Sequence, residues 1–293
     1  YDPWKSRWVT NLQWTPDVIS DVDVVFAPTA NYVSYYGMEN GLPIADPEEP
    51  DPESGYDPEH PWQNRDPRFY HDIVYDGVQC VEDPAAGDDM YANLFSGGSY
   101  RDPNSGSRTG YLNYKFIPNT VNDWDGGQDQ SHHMHLSYMR LADVYLMYAE
   151  AAANSSYGLD GTPSGYSKNA VQAVDFVRDR AGVPGVADKF TGSTEEFMKE
   201  LRRERAVELA FEHHRFNDLR RWLLLTERPY TLKTSHEFER AEGFDPDNPR
   251  ENRVVNLSEE VILERDFSDK HYWLPLKTDD VNMYEELDQN PGW

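Results

Sequence analysis

The sequence is poor in cysteine, in basic residues and in long hydrophobic runs. Cys80 is the only cysteine among 293 residues, so the chain can form neither an internal disulfide nor a cysteine-based metal cage. Only 27 Lys and Arg residues accompany 53 Asp and Glu residues, whereas a nucleic-acid binder needs clustered cations to contact phosphates. The longest strongly apolar run, residues 222–225, is far shorter than the ~20 residues of a transmembrane helix. The composition therefore argues against nucleic-acid binding and excludes a helical membrane span.

Aromatic residues, in contrast, are abundant. The chain contains 8 Trp, 19 Tyr and 12 Phe, which together make up 13% of its residues. Disordered chains are poor in aromatic residues because they bury little apolar surface. The sequence therefore predicts a folded, acidic chain, and the position of each aromatic residue is informative.

Proline divides the chain into two regions. Thirteen of the 20 prolines lie in residues 1–131, where helical periodicity is weak. We interpret 1–131 as a loop-rich, ligand-binding lobe with short strands at 22–26 and 73–75, and 132–293 as a helical region. Residues 230–258 show no clear periodicity, and we expect them to be irregular.

The helical region contains three strong helix signals. Residues 136–153 carry an apolar stripe at helical spacing. A second helix is predicted to start after Ser167 and to stop at Gly182, because glycine commonly ends helices. Ser193 and the Glu three residues later form a capping box for a third helix that extends to about residue 213, followed by a helical piece at 216–225.

The first two predicted helices form an antiparallel hairpin joined by the polar link 154–167, as in one tetratricopeptide repeat. A single hairpin does not make a solenoid, because about three repeats are needed for a continuous core. The predicted fold class is therefore mainly α, with tetratricopeptide-like helical hairpins, a loop-rich lobe and a few short strands.

Six segments, in order, resemble the SusD/RagB family of nutrient-binding surface lipoproteins of Bacteroidetes. The most informative is residues 204–222 (ERAVELAFEHHRFNDLRRW), although His213 and His214 depart from the small or polar residues that are usual there. The others are residues 55–58 (GYDP), 64–69 (NRDPRF), 140–151 (RLADVYLMYAEA), 177–184 (VRDRAGVP) and 289–293 (QNPGW).

The resemblance implies a SusD-like fold and a non-enzymatic protein on the surface of the outer membrane. Such a protein captures nutrient and acts as the lid of a SusC-like, TonB-dependent barrel transporter. Family members are about twice as long as this chain. We therefore expect a C-terminal portion, with the signal peptide, the lipid anchor and most helical repeats in a missing N-terminal half. No cofactor or metal is implied.

An oligosaccharide is the ligand that the loop aromatics fit best. Flat rings among carboxylates and amides match the C–H faces and hydroxyls of sugars, and the segment around Trp124 (NDWDGGQ) offers both. The net charge of −26 favours an uncharged or weakly basic ligand. The predicted contact residues, chosen from loop chemistry because the family has no fixed binding motif, are Trp124, Trp62, Trp4, Trp8, Tyr35 and Tyr100.

Three alternative functions stay open from the sequence. The family also contains peptide binders. A glycoside hydrolase needs two carboxylates about 5–10 Å apart, and no pair stands out among 53 acidic residues. A purely structural helical-repeat scaffold would bind a protein partner instead of a small ligand.

Several charged or histidine-rich segments invite other interpretations. On a helix, Arg205 can pair with Glu208 and Glu212 with Arg215, which indicates a structural ion-pair network and no catalytic role. His132, His133 and His135 do not share one face of a regular element, so we interpret them as an ordinary polar approach to the first helix. The acidic stretch 46–59 lacks EF-hand spacing, and at most it would bind adventitious calcium.

Overall fold

The first half of the chain consists of loops punctuated by very short elements. The computed structural model describes residues 15–20, 23–117, 122–126 and 137–293. Its short helices are α1 (Asp17–Ser20), α2 (Ala30–Val33) and α3 (Pro67–Asp72). Strands β1 (Ile73–Val74) and β2 (Leu112–Asn113) form an antiparallel pair, and single 3-10 turns lie at Pro84–Met90 and Ser99–Arg101.

One of the two predicted strands is confirmed. The apolar run at 73–75 contains β1, whose residues are buried. The described part of the run at 22–26 forms no strand, and Val25 and Phe26 are 59% and 50% exposed. A valine-rich run forms a strand only where a partner strand pairs with it.

The helical region begins with a hairpin of two helices and continues into a third. These are α4 (Leu141–Ala153), α5 (Ala170–Ala181) and α6 (Thr194–Glu208), and they share a core that includes Leu146, Val174 and Phe197. Short alanines on α4 and α5 let the two backbones approach closely, as in helical repeats. The fold is mainly helical, as predicted.

The predicted helix boundaries need several corrections. Residues 137–140 are not helical, so the helix predicted over 136–153 begins only at Leu141, and the helical piece predicted at 216–225 ends at Arg221. Asn169, and not Ser167, caps α5, because its side chain accepts the amide of Gln172 in a complete capping box. Helix α6 starts at the predicted cap Ser193 but ends at Glu208, well before residue 213. Phe211 and His213 have positive φ, so the chain turns there before α7 (His214–Arg221).

Gly182 ends α5 in the left-handed conformation, with φ of 76°. We expect Gly182→Ala to lower the free energy of unfolding by about 1–2 kcal/mol, because a side chain disfavours this conformation while no atom blocks the added methyl. Denaturant titration measures the change. Gly192→Ala is the matched control, since its added methyl also meets open space and its φ is ordinary. Equal losses in both variants would contradict this role of Gly182.

A long β-hairpin occupies much of the segment predicted to be irregular. Strands β3 (Leu232–Arg240) and β4 (Val254–Glu264) pair antiparallel, with bulges on both sides of the central register. Polar side chains of β3, including Thr234, Ser235 and His236, are buried. The prediction for 230–258 was wrong because polar buried residues hide the alternation that signals a strand. A last short helix, α8 (Thr278–Met283), follows.

The main core contains residues from both predicted regions, 1–131 and 132–293. Trp62 stacks on Tyr75 and contacts Phe238 of β3 edge to face, with ring centroids 5.4 Å apart in both pairs. Val207 of α6 belongs to the same cluster. The core therefore extends across the predicted boundary at residue 131, which itself falls among residues outside the described ranges.

Candidate functional site

Two of the six predicted contact residues are core residues. Trp62 is 1% exposed and Tyr100 is 0% exposed, so neither ring has a face available to a ligand. Tyr100 donates a hydrogen bond to the carbonyl of Asp89 at 2.7 Å. The expectation for both is corrected, because loop aromatics here fill the core of a lobe that has few strands or helices to do so. Trp4 and Trp8 lie outside the described residues.

Trp124 lies on a loop that is fixed from several sides. Asp125 accepts the backbone amides of Glu82 and Asp83, at 3.0 and 2.8 Å, and also binds the Asn122 side chain at 2.7 Å. Partial burial raises the pKa of Asp125, but these hydrogen bonds outweigh it and hold the pKa below its ordinary value. The Trp124 ring remains 41% exposed. A loop held by hydrogen bonds thus presents an exposed indole, and the role of Trp124 as a contact residue stays a prediction.

Tyr35 lines a cavity of about 410 Å³ between α2, α6 and the start of α7. The Arg215 guanidinium lies 4.9 Å from the centroid of the Tyr35 ring and 5.4 Å from that of Tyr230. It also donates to the Tyr35 hydroxyl at 2.9 Å. Burial raises the pKa of Tyr35 although Arg215 opposes this, so the phenol stays protonated. We call this space the Tyr35 cavity.

The sequence did not reveal that Tyr230 and Arg215 belong to this cavity. Arg215 was expected to pair with Glu212 on one helix. The break between α6 and α7 separates them, and Glu212 instead pairs with Lys115 and Arg140. Tyr230 follows a proline and precedes β3. The sequence around it shows neither helical nor strand periodicity, so its position in the fold could not be predicted. Only the tertiary fold brings these side chains to Tyr35.

The conspicuous charges of α6 form a structural network. Glu204 pairs with Arg68 and with Arg178 of α5, and Glu208 pairs with Arg68, Arg140 and Arg180. Burial opposes ionisation of Glu204, but its arginine partners prevail and lower its pKa to about 2. A general acid or base needs a pKa near the working pH, so this carboxylate does not suit that task. The predicted ion network is present, but its partners come from other elements.

Other candidate chemistry finds little support in the described residues. Burial raises the pKa of Cys80 to about 12, so its thiol is unreactive. Within the described ranges, no cluster of three His, Cys, Asp or Glu could hold a metal ion, and this includes the acidic stretch 46–59. The histidines at 132, 133 and 135 lie outside those ranges. No helix of the described part is long and apolar enough to cross a membrane.

The structure is thus a mainly helical fold with a cavity lined by aromatic and polar side chains. The comparisons with known proteins then identify the family. The family model for SusD matches residues 12–293, and the chain belongs to the SusD family.

Solved structures show the same fold. A SusD-like protein from Bacteroides fragilis is 24% identical, with a TM-score of 0.66 over 100% of this chain and 52% of its own. A second structure, named BT4246, is 22% identical, with a TM-score of 0.61 over 97% of this chain and 47% of its own. The chain thus spans about half the length of these structures. None of the curated proteins matches it.

Proposed function

We propose that this chain belongs to a nutrient-binding protein whose ligand is an oligosaccharide. The observation that carries the proposal is the exposed indole of Trp124, on a loop fixed by partly buried hydrogen bonds and flanked in the sequence by Asp123 and Asp125. A rigid platform of this kind loses little conformational entropy on binding. The flat ring packs against the C–H face of a sugar, while carboxylates accept its hydroxyl hydrogens.

SusD family membership supports the cellular role. SusD-like proteins are generally binding proteins and not enzymes, and they typically work as lipid-anchored lids of barrel transporters in the outer membrane. We propose this role for the whole protein, with a SusC-like, TonB-dependent transporter as its partner and closure of the lid as the delivery step. The low pKa of Glu204 and its enclosure by arginines argue in the same direction, since they do not suit catalysis.

The expected affinity is modest. Covering about 100 Å² of an aromatic ring contributes about 2.5 kcal/mol before ordering costs are subtracted. One or two such platforms give dissociation constants on the order of micromolar to millimolar. A polymer that occupies several weak subsites at once gains from effective concentration, which is sufficient for capture at a cell surface.

Trp124→Ala tests the proposal. We expect the substitution to weaken glycan binding by roughly tenfold or more, because it removes the stacking surface, and to leave the folded state intact because the ring is exposed. Affinity electrophoresis against a panel of soluble polysaccharides measures the retardation, and circular dichroism checks folding.

Trp273→Ala is the matched control, since Trp273 is 63% exposed in a different segment. Retardation that is lost in Trp124→Ala and kept in Trp273→Ala supports the proposal. Unchanged retardation in Trp124→Ala would remove Trp124 from the site. Release of reducing sugar would point to a hydrolase, and binding of peptides without any glycan would point to the peptide-binding members of the family.

A further inference from the structure

The Tyr35 cavity holds two arginines that no carboxylate neutralises. In a chain with a net charge of −26, most buried or partly buried arginines pair with Asp or Glu. Arg202 and Arg215 both line the Tyr35 cavity, and neither forms an ion pair with any carboxylate of the described residues. A guanidinium without an anionic partner is a ready donor for an external anion.

The two arginines are held in place by aromatic rings. Arg215 lies against Tyr35 and Tyr230 and uses one Nη2 hydrogen bond on the Tyr35 hydroxyl. Arg202 lies 5.4 Å from the centroid of the Trp222 ring. A cation–π contact restrains a guanidinium without consuming its N–H donors. The N–H groups of Arg215 other than the one bonded to Tyr35 therefore remain available as donors.

Two buried polar atoms of the cavity residues also lack partners. The Nε of Arg202 and the Oδ1 of Asn31 are buried and have no hydrogen bond within the described residues. The Asn31 amide nitrogen is already committed to the carbonyl of Leu232 at 3.0 Å, which fixes the orientation of the side chain. Because both atoms are buried, neither faces the cavity, and the donors that its lining offers to a ligand are the Nη groups of Arg202 and Arg215.

The carboxylates of the same cavity are already engaged. Glu200 pairs with Arg178 and Arg203, and Glu196 pairs with Lys199. Glu259 accepts a hydrogen bond from Thr234 at 2.5 Å. Glu259 has no cationic partner among the described residues, but the lining carries four cationic side chains against three carboxylates, so a positive excess remains in this cavity, in contrast to the rest of the chain.

We propose that the Tyr35 cavity binds a sugar residue that carries a carboxylate, such as a uronic acid. Arg215 and Arg202 donate to the carboxylate. The rings of Tyr35 and Tyr230 border the space beside it. The inference rests on the proposed glycan-binding function and names the ligand class for this cavity alone.

The overall acidity of the chain is compatible with this ligand. Charges on the solvent-exposed surface are screened over about 8 Å at physiological ionic strength, whereas groups inside a cavity interact at contact distance. The negative surface disfavours long polyanions, and a single carboxylate that enters the cavity meets arginine first. An acidic sugar within a mostly neutral glycan satisfies both conditions.

Nuclear magnetic resonance of the arginine Nε–H groups tests the proposal directly. The signals of Arg202 and Arg215 are assigned by their loss in Arg202→Gln and Arg215→Gln. Sodium galacturonate and sodium glucuronate are titrated in parallel with galactose, glucose and sodium acetate. We expect saturable shifts of both signals with at least one uronate, at affinities at least tenfold above those for the matched neutral sugar and for acetate.

Arg250→Gln is the control variant, because Arg250 also stacks on a tyrosine, 3.8 Å from the Tyr70 centroid, but lies outside the cavity. It should bind uronate like the unmodified chain, while Arg202→Gln and Arg215→Gln should each weaken binding about tenfold or more. If Arg215→Gln unfolds, uronate binding by Arg202→Gln alone decides whether the arginines of the cavity bind the carboxylate.

The outcomes separate this inference from the function on which it rests. Equal binding of uronate and acetate, or of uronate and neutral sugar, would overturn the inference. If polysaccharides still bind through Trp124 in that case, the proposed glycan-binding function survives. Preferential binding of peptide carboxylates would also overturn the sugar assignment, and absence of all glycan binding would remove both proposals.

Discussion

Replacing Glu204 by Gln should lower the free energy of unfolding by about 2–3 kcal/mol, because it removes the anion that Arg68 and Arg178 share. The loss stays below that of a fully unpaired charge, since Arg68 keeps Asp66 and Glu208 and Arg178 keeps Glu200. Glu204 of α6 is almost fully buried and contacts Arg68 of α3 and Arg178 of α5, the latter at 2.9 Å. The carboxylate thus connects the loop-rich lobe to the helical hairpin. Urea titration followed by tryptophan fluorescence measures the loss.

Burial makes this effect large. Arg178 is 1% exposed, and its Nη1 already lacks a hydrogen bond within the described residues. An exposed ion pair contributes little, whereas a buried charge without its partner retains its full desolvation cost. Glu195→Gln on the same helix is the matched control, since Glu195 is 80% exposed and pairs only with Lys199. We expect this control to stay within about 0.5 kcal/mol.

A double-mutant cycle separates the ion pair from general damage to the helix. Arg178→Met combined with Glu204→Leu removes both charges and keeps similar volume, so the double variant should lose less stability than the two single variants together. Additive losses would show that Glu204 and Arg178 do not act as a pair.

The sequence predicted the helical region far better than the rest. Apolar spacing placed α4, and the Ser193 capping box placed the start of α6, because both signals are local. The end of α6 could not be placed, since Phe211 and His213 adopt positive φ only because the chain must turn toward α7. The β3–β4 hairpin escaped detection because Thr234, Ser235 and His236 are buried by neighbours distant in the sequence.

In the candidate site, too, the sequence predicted features that depend on local contacts and missed those that depend on distant residues. The loop chemistry around Trp124 correctly indicated an exposed ring, since its polar neighbours form local hydrogen bonds. The same chemistry failed for Trp62, whose partners are Tyr75, directly after β1, and Phe238 of β3, far along the chain. The Tyr35 cavity depends on contacts between residues about 180 positions apart, such as Tyr35 and Arg215, which no local pattern reveals.

Acidification should destabilise the chain through His236, well before most carboxylates titrate. Burial, aided by Arg65, lowers the pKa of His236 from 6.5 to about 3. Its Nδ1 lies 2.8 Å from the Tyr111 hydroxyl, and its Nε2 is buried without a partner among the described residues. The folded state therefore keeps a neutral imidazole that the unfolded state would protonate below pH 6.5.

The sign of the pH dependence follows from proton counting. Between pH 6.5 and 3 the unfolded chain binds one more proton at this histidine, so the free energy of unfolding falls as pH falls. The slope approaches about 1.4 kcal/mol per pH unit, and the accumulated loss reaches about 4–5 kcal/mol near the folded pKa. Glu204 contributes in the same direction only below about pH 4.5, because its folded pKa is about 2.

His236→Gln tests the contribution of the buried imidazole to acid destabilisation, because glutamine can contact Tyr111 and does not titrate. Burial raises the pKa values of Asp72 and Glu259, which acts in the opposite direction, but that contribution is common to both chains and cancels in their difference. We therefore expect that, as pH falls from 6.5 to 4.5, the free energy of unfolding of the unmodified chain decreases by about 2 kcal/mol more than that of His236→Gln. His71→Gln, at an exposed position of α3, should keep the original slope. If His236→Gln keeps it as well, the buried imidazole does not limit acid stability.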